Sequence, residues 1–539
     1  MSKLKDLFDK CYKHNLMQPG ITLFGGIGVV GLSVLISLLF EPFLNQFTHH
    51  MQIDYYLFVL LIALIVLKIF LSRFMIIYNM KVYFNYEKNL ISRLLMKMDF
   101  FDGEVIEATG LESWLITLTN DVKQVARLAS ITVPDMLVGL VGFSVALVYG
   151  LTQVPLLTFV ILMISITTFL ILKRFSTEVA NLKEDELNVN QRVQKVLLDF
   201  LDGVEIFRAF STLGFGFEHT MGHLSNWRAS RYSKQHAIIR LESFAMGSGF
   251  VMTAIWFSFA FYLIGIQKLS LGQYLGFAML SDYLNWPFME FPNLYSAYVE
   301  ESVSQQRYNE YEAQLIKKDF YPKQYNTLVD EHTLLSVKDL SFTRNEATII
   351  KNLNFEIKKG EKWLITGESG SGKSTLIKFL IGYYDNNQGE LSWFSDEDGN
   401  QPLLAYIPQN IPLFCDTLED NILLGRKTTQ EVLNGIIEEV GLDTLVEKLP
   451  MGLQTPIATD GQILSQGEIQ RIGIARALVK EADLIIADEP VSALDSILEQ
   501  KILEKLIHAS KALVLVSHRQ IEDTSQFKIL DMTAFNHDS

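Results

Sequence analysis

Six long apolar segments fill the first half of the chain and restrict its fold more than any other feature of the sequence. They fall near 21–43, 55–78, 131–151, 154–172, 244–266 and 271–295. The hydrocarbon core of a bilayer asks for about 20 apolar residues per crossing helix, and each segment comes close to that length. The first run is too long for the apolar region of a cleavable signal and is followed by more of the same, so it reads as a retained span. The sixth is the least apolar, because it carries Asp282, Asn285, Trp286 and Glu290. Mean hydropathy over the 539 residues is +0.20, yet the last third has the composition of a soluble protein, which predicts a membrane part followed by a soluble part.

Lysine and arginine predict the orientation, since they accumulate in cytoplasmic loops. Lys3, Lys5, Lys10 and Lys13 precede the first span. Arg73, Lys81, Lys88, Arg93 and Lys97 follow the second, and Lys173, Arg174, Lys183, Arg192 and Lys195 follow the fourth. The opposite connections, 41–54, 149–155 and 266–270, hold only Lys268. Both termini are therefore expected in the cytoplasm of a multi-pass protein of the cell membrane. The two long cytoplasmic connections keep helical periodicity, as in Val193, Val196, Leu197 and Leu201, and are expected to extend the spans as helices. Their tips, about 101–113 and 210–217, break the pattern and suit contact with the soluble part. A net charge of −15 and a pI near 5.2, without a basic stripe, exclude nucleic acid as the expected partner. Cys11 and Cys415 are far apart and both fall on the cytoplasmic side of this scheme, so a disulfide framework is not expected.

From Leu334 onward strand-like and helix-like runs alternate, which argues an α/β fold. Within it lies Gly367, Glu368, Ser369, Gly370, Ser371, Gly372, Lys373, Ser374 and Thr375, between an apolar run ending at Thr366 and a helix-like run through Leu376, Ile377 and Phe379. A strand, a glycine-rich turn and a helix start form the setting of a phosphate loop. A triphosphate needs several backbone N–H groups at close range, and glycines let the main chain approach that near. The helix start adds unsatisfied N–H groups and the positive end of its dipole, Lys373 reaches the outer phosphates, and the Ser374 hydroxyl can ligate Mg²⁺. Further on, 484–487 reads as a strand buried on both faces that ends in two acids, placing Asp488 toward Mg²⁺ and Glu489 toward an attacking water.

With these motifs in this order the chain resembles an ATP-binding cassette exporter half-transporter, six membrane helices fused to one nucleotide-binding domain, and the resemblance covers nearly the whole length. Ile407-Pro408-Gln409 resembles the glutamine loop, Leu464-Ser465-Gln466-Gly467-Glu468 the signature, Ser492-Ala493-Leu494-Asp495 the loop after the acidic strand, and Ser517-His518 the switch histidine. Thr119-Asn120-Asp121-Val122 matches an exporter pattern in the first cytoplasmic connection. The resemblance implies a membrane helical bundle with long cytoplasmic extensions (1–315), a linker (316–333) and a P-loop nucleotide-binding domain (334–539). It implies that Gln409 ligates Mg²⁺ and senses the γ-phosphate, that Glu489 is the general base or water positioner, and that His518 contacts the γ-phosphate. Ser465 and Gly467 would bind the nucleotide held by a partner subunit, so the site is complete only in a homodimer or heterodimer.

The chain departs from the family at three places. The signature reads LSQGE where two glycines and a glutamine are usual, the usual adenine-stacking aromatic position falls at Arg344, and Thr459 stands where exporters commonly carry a glutamate. These departures favour a non-identical partner while leaving Lys373, Asp488, Glu489 and His518 in place. Asp282, Trp286 and Glu290 recur every fourth residue, which predicts an acidic face of the sixth span lining the translocation pathway, with Pro287 and Pro292 kinking the helix. By family analogy the cargo is a small peptide of the bacteriocin or lantibiotic kind, or another amphipathic molecule. A lipid flippase, a thiol or redox-linked exporter, and a non-transporting or catalytically subordinate half are the alternatives. The first span is placed near Ile21, so the cysteine peptidase that some peptide exporters carry ahead of it is not expected here.

Overall fold

The computed structural model describes residues 17–50, 55–98, 103–153, 155–316, 324–326, 332–344, 347–384, 388–394, 402–457, 464–491, 496–509, 511–517 and 525–535. The chain divides into two compact units, one of residues 1–99 and 110–314, the other of residues 100–109 and 315–539.

The first unit is helical. Helices α1 (Met17–His50) and α2 (Tyr55–Lys97) lead to the short α3 (Gly103–Thr109), which folds with the second unit. The path returns through α4 (Leu111–Ile116), α5 (Val122–Arg127) and α6 (Val133–Gln153), joined by π-helical turns at Thr117–Asp121 and Leu128–Thr132. Then come α7 (Pro155–Asp202), α8 (Val204–Ala209), α9 (Leu213–Gly265), α10 (Leu271–Met279), α11 (Ser281–Met289) and α12 (Phe291–Ile316). Among the described residues four helical stretches are long and apolar enough to cross a membrane: Gln18–Leu44, Tyr55–Lys97, Ser113–Gln153 and Leu213–Gly265. The fourth expected span opens α7, which continues far beyond it, and α2 and α9 also run on past their apolar parts as the periodicity predicts.

The sixth expected span differs from a single kinked helix. It is three helices, broken at Leu280 and Glu290. Pro292 has no N–H to continue the ladder, so the chain restarts there, a position in the first turn where proline is tolerated. Asp282, Trp286 and Glu290 consequently do not share one continuous helical face. Asp282 and Glu290 are exposed, whereas the Trp286 indole packs on α6 so closely that a Cβ at Gly139 would collide with it.

Polar side chains also lock this unit at the far end of α12. Arg307 Nη2 donates to Asp121 Oδ1 at 2.6 Å, and Arg93 Nε and Lys97 Nζ each lie 2.6 Å from the buried Glu312 carboxylate. Burial pushes the Asp121 carboxyl up and the Arg307 guanidinium opposes it. Breaking such a buried pair by removing one partner costs about 3–5 kcal/mol.

The second unit is α/β. A four-stranded sheet runs in the order β1 (Gln324–Asn326), β5 (Gln388–Phe394), β2 (Thr333–Arg344), β3 (Ala347–Lys358). A five-stranded parallel sheet runs in the order β11 (Lys528–Asp531), β4 (Lys362–Thr366), β10 (Ala512–Val516), β9 (Leu484–Asp488), β6 (Leu404–Ile407). A short antiparallel pair joins β7 (Asp416–Thr417) and β8 (Pro456–Ile457). The helices are α13 (Lys373–Leu380), α14 (Leu418–Leu423), α15 (Gln430–Glu439), α16 (Asp443–Lys448), α17 (Gln466–Val479) and α18 (Ser496–Ala509). The period of two in a strand decides where each side chain goes. Leu484 and Ile486 enter the core with β2, β3 and α13, while Ile485 and Ala487 enter the core with α14, α15, α17 and α18. Both faces are covered, which is why these strands read as unbroken apolar runs.

Candidate functional site

Because the five strands are parallel, all their C-terminal ends lie along one edge, and the motifs follow those ends. Ile365 pairs with Val516, Val516 with Asp488, and Ala487 with Ile407. That register brings the residues just past β4, β9 and β6 together: Gly367, Asp488 with Glu489, and Gln409.

The loop after β4 is held open by three left-handed glycines, Gly367 (φ 139°), Gly370 (φ 86°) and Gly372 (φ 90°). Space adds to the conformational demand at two of them. A Cβ at Gly367 would stand 2.6 Å from Ser371 Oγ, and one at Gly372 would stand 3.0 Å from Ile349 Cγ2. Gly372 is also the N-cap of α13 and offers no side chain to the first N–H groups of the helix. Those donors are left for an anion. Lys373 is buried, and its Nζ donates to the main-chain oxygens of Gly367 (2.8 Å) and Glu368 (2.7 Å). The ammonium is thus kept inside the loop it encloses. Ser371 Oγ is buried with no hydrogen-bond partner, so the loop contains a donor whose need a phosphate oxygen would meet. Ser369 is exposed beside Gly370, and Ser374 and Thr375 form the first turn of α13, with Ser374 exposed.

The acids are placed by β9. Asp488 ends the strand and is 8 % exposed. Glu489 has φ 50°, rare for a residue with a side chain, and its N–H donates to Val516 O at 3.0 Å, which holds the turn. Backbone strain of this kind costs about 1–3 kcal/mol and clusters where it aims a functional group. The Glu489 carboxylate accepts from Gln409 Nε2 through Oε2 at 3.0 Å. Burial, with the Asp488 charge as the second cause, pushes the Tyr406 hydroxyl up to about 12, so it stays protonated beside the acids.

The signature segment is the start of a helix. Ser465 is the N-cap of α17 and forms a reciprocal capping box with Glu468: Ser465 Oγ accepts from Glu468 N (3.3 Å), and Glu468 Oε2 accepts from Ser465 N (2.7 Å) and from Ser465 Oγ (2.8 Å). Burial works to raise the Glu468 carboxyl, and the Ser465 donors outweigh it and hold it below the ordinary range. Gly467 lies in the first turn. His518, Asp495 and Thr459 lie outside the described residues, as does the Arg344 side chain.

Two contacts escaped sequence reasoning. Arg476, near the end of α17, donates to Asn421 O (2.5 Å), Asn421 Oδ1 (2.9 Å) and Pro412 O (2.7 Å), and its guanidinium lies 5.4 Å from the Phe414 ring centre. A Cβ at Gly473 would collide with Ile411. The signature helix is therefore fixed to the segment that follows Gln409. The second contact involves α3, where Glu107 Oε1 lies 2.7 Å from Lys378 Nζ on α13 and Glu107 Oε2 accepts from the Tyr384 hydroxyl at 2.6 Å. Gly103 N–H donates to Tyr383 O at 2.7 Å, and the Tyr383 ring occupies the space a Cβ there would need. The helix that begins at the phosphate loop is thus tied to α3. The signal available in the sequence was the break in helical periodicity at 101–113.

Two family models match the chain, the ABC transporter transmembrane region over residues 20–288 and the ABC transporter domain over residues 350–492. A lactococcin-A transport/processing ATP-binding protein of Lactococcus lactis subsp. lactis is 28 % identical over 386 residues, which is 69 % of this chain and 53 % of that protein. The chain thus spans about half the length of that curated relative. A probable ABC transporter ATP-binding/permease protein of Haemophilus influenzae is 28 % identical over 420 residues, 75 % of this chain and 74 % of that one. Among solved structures, a bacterial Atm1-family ABC exporter with ATP bound superposes with a TM-score of 0.80 at 19 % identity, covering 96 % of this chain and 94 % of that one. By its fused transmembrane region and ATP-binding domain, the chain belongs to the ATP-binding cassette transporters, as a half-transporter of the exporter type.

Proposed function

We propose that this chain couples ATP hydrolysis to export across the cytoplasmic membrane as one half of a dimer. The observation that carries the reading is the Gln409–Glu489 pair at the sheet edge that also bears the phosphate loop. Glu489 positions or deprotonates the attacking water, Lys373 and the loop N–H groups hold the outer phosphates, and Ser465 and Gly467 reach the nucleotide of the partner subunit. His518 and Asp495 complete the site by their place in the motif order. The oxygen donors of Ser374, Gln409 and Asp488 suit a hard cation, and they would hold Mg²⁺, which neutralises phosphate charge when bound. The Lys and Arg distribution supports both termini, and so the site, on the cytoplasmic side.

For cargo, the likeness to a lactococcin-A transport/processing protein supports a small peptide or another amphipathic molecule. The exposed Asp282 and Glu290 support cationic or polar groups on it. The test is purified dimer in nanodiscs, assayed for ATP hydrolysis with and without candidate peptides. Glu489→Gln should retain ATP and hydrolyse it at least a hundredfold more slowly; hydrolysis at the native rate would overturn the proposal.

A further inference from the structure

Helix α2 carries Lys68 within the stretch predicted to span the membrane, and Arg73 further along, toward the cytoplasmic connection. At 1.5 Å per residue Lys68 lies about 20 Å along the helix from Tyr55, inside a hydrocarbon layer of about 30 Å. A charge at such depth costs about 2.5–3.5 kcal/mol on insertion scales and is ordinarily matched to a carboxylate or a cavity. Here there is no carboxylate: among the described residues neither Lys68 nor Arg73 makes an ion pair. There is a cavity. It measures about 610 Å³, lies among α1, α2 and α10, and is lined by both cations together with Ser33 and Ser72. Lys68 and Ser72 stand one turn apart on α2, so they present to the cavity together. Ser33 is fixed from the far side, where its Oγ lies 3.0 Å from Val29 O and 3.1 Å from the Tyr283 hydroxyl. The rest of the lining is apolar, Ile65, Ile69, Ile76 and Met279 among it.

Two cations and two hydroxyls in an otherwise apolar wall match a molecule with an anionic end and an aliphatic body. We propose that this cavity binds the carboxylate or phosphate group of an amphipathic molecule, with Lys68 and Arg73 holding the anion. The site is separate from the acidic residues of α11 and its rim, and as a cargo subsite it rests on the exporter reading above. The same chemistry could come from cargo or from an acidic phospholipid, and the experiment separates them.

The test uses the full-length chain in phosphatidylcholine nanodiscs, with radiolabelled laurate as the probe and dodecanol as its neutral counterpart. Laurate should bind saturably. Lys68→Gln/Arg73→Gln should weaken laurate at least tenfold and leave dodecanol unchanged, and Lys68→Arg/Arg73→Lys should restore laurate. Repeating the measurement in nanodiscs containing phosphatidylglycerol distinguishes the sources: displacement of laurate identifies a lipid as occupant, and undiminished binding identifies cargo. Equal laurate binding by wild type and the glutamine variant overturns the proposal, as does failure of the charge-conserving variant to restore it. Basal ATP hydrolysis, expected to be the same in all three proteins, reports separately on folding and on the exporter reading.

Discussion

Gln409 donates a hydrogen bond to the Glu489 carboxylate at 3.0 Å, across strands whose last paired residues are Ile407 and Ala487. The amide thus holds in place the carboxylate that Glu489's left-handed backbone aims beyond the strand. Gln409→Ala removes that support and a candidate metal ligand while leaving Glu489, the proposed base, in place. ATP hydrolysis should fall about tenfold to a hundredfold, less than for Glu489→Gln, since a positioned base is worth about 10²–10⁴. Steady-state kinetics on both variants in nanodiscs checks the order; an equal loss would mean that Gln409 does more than position.

Gly372 joins two demands at one residue, a φ of 90° and a Cβ position 3.0 Å from Ile349 Cγ2. Gly372→Ala should therefore destabilise the nucleotide-binding unit by about 1–2 kcal/mol through the left-handed strain alone. It should also lower ATP affinity, because the same residue caps the helix whose free N–H groups are proposed to hold the phosphates. Gly370→Ala is the useful contrast, since no atom lies within 4 Å of its Cβ position and only the backbone term applies. Thermal melting with and without ATP separates the two effects.

Glu107 accepts from both Lys378 and Tyr384, and Lys378 lies on the helix that begins at Lys373. The pair is partly exposed, so Glu107→Gln should change stability by less than about 1 kcal/mol. Its effect should appear in coupling instead. Basal ATP hydrolysis should stay within about twofold, while stimulation by cargo is lost, and Lys378→Met should produce the same loss without adding to it. A double-mutant cycle on stimulated hydrolysis makes the comparison.

The soluble fold was legible in the sequence because its strands are buried on both faces. Unbroken runs such as 484–487 and 512–516 admit few other readings, and the glycines of the phosphate loop mark one backbone shape. The break of the sixth span into three helices was not legible. Pro287 and Pro292 announce a disturbance, and Pro292 accounts for the restart after Glu290, yet the interruption at Leu280 has no proline beside it and falls where Leu280 and Leu284 are buried in the packed helices. Pairs such as Asp121 with Arg307 and Glu107 with Lys378 were also hidden, because periodicity tells which face is covered and not by what. The setting of Lys68 was hidden as well, since a cavity is a property of three helices.

Glu301 on α12 is buried, and one of its carboxylate oxygens has no hydrogen-bond partner. Burial, supplemented by the Glu300 charge, pushes its carboxyl up to about 7, against opposing contributions from Thr132 and Arg127, whose Nε lies 3.4 Å away. A folded value above the unfolded one means that the fold binds the proton more tightly. Stability should then fall as pH rises between the two values and level off above pH 7. The full shift corresponds to on the order of 3 kcal/mol. Glu301→Gln, which stays neutral, should raise the melting temperature at pH 8 and leave it nearly unchanged at pH 5. A stabilisation of equal size at both values would mean that the carboxylate is ionised throughout.

Glu468 places a carboxylate at the signature, against the Ser465 hydroxyl that is proposed to meet the phosphate of the partner subunit. The capping box holds that charge in its ionised form, which steadies α17 and at the same time opposes an approaching anion. Glu468→Gln keeps the side-chain acceptor and removes the charge. The helix should lose no more than about 1 kcal/mol, the usual worth of a cap. ATP-driven dimerisation of Glu489→Gln protein should tighten by about threefold to tenfold, as expected when a close like-charge contact is relieved in partly screened surroundings. Dimerisation followed by ATP titration in an analytical ultracentrifuge reads the change. The charge-free variant should also lose much of the salt dependence, because the repulsion it removes is the part that salt screens. Tightening that persisted unchanged at every salt concentration would point to packing around Gln466 instead of the charge.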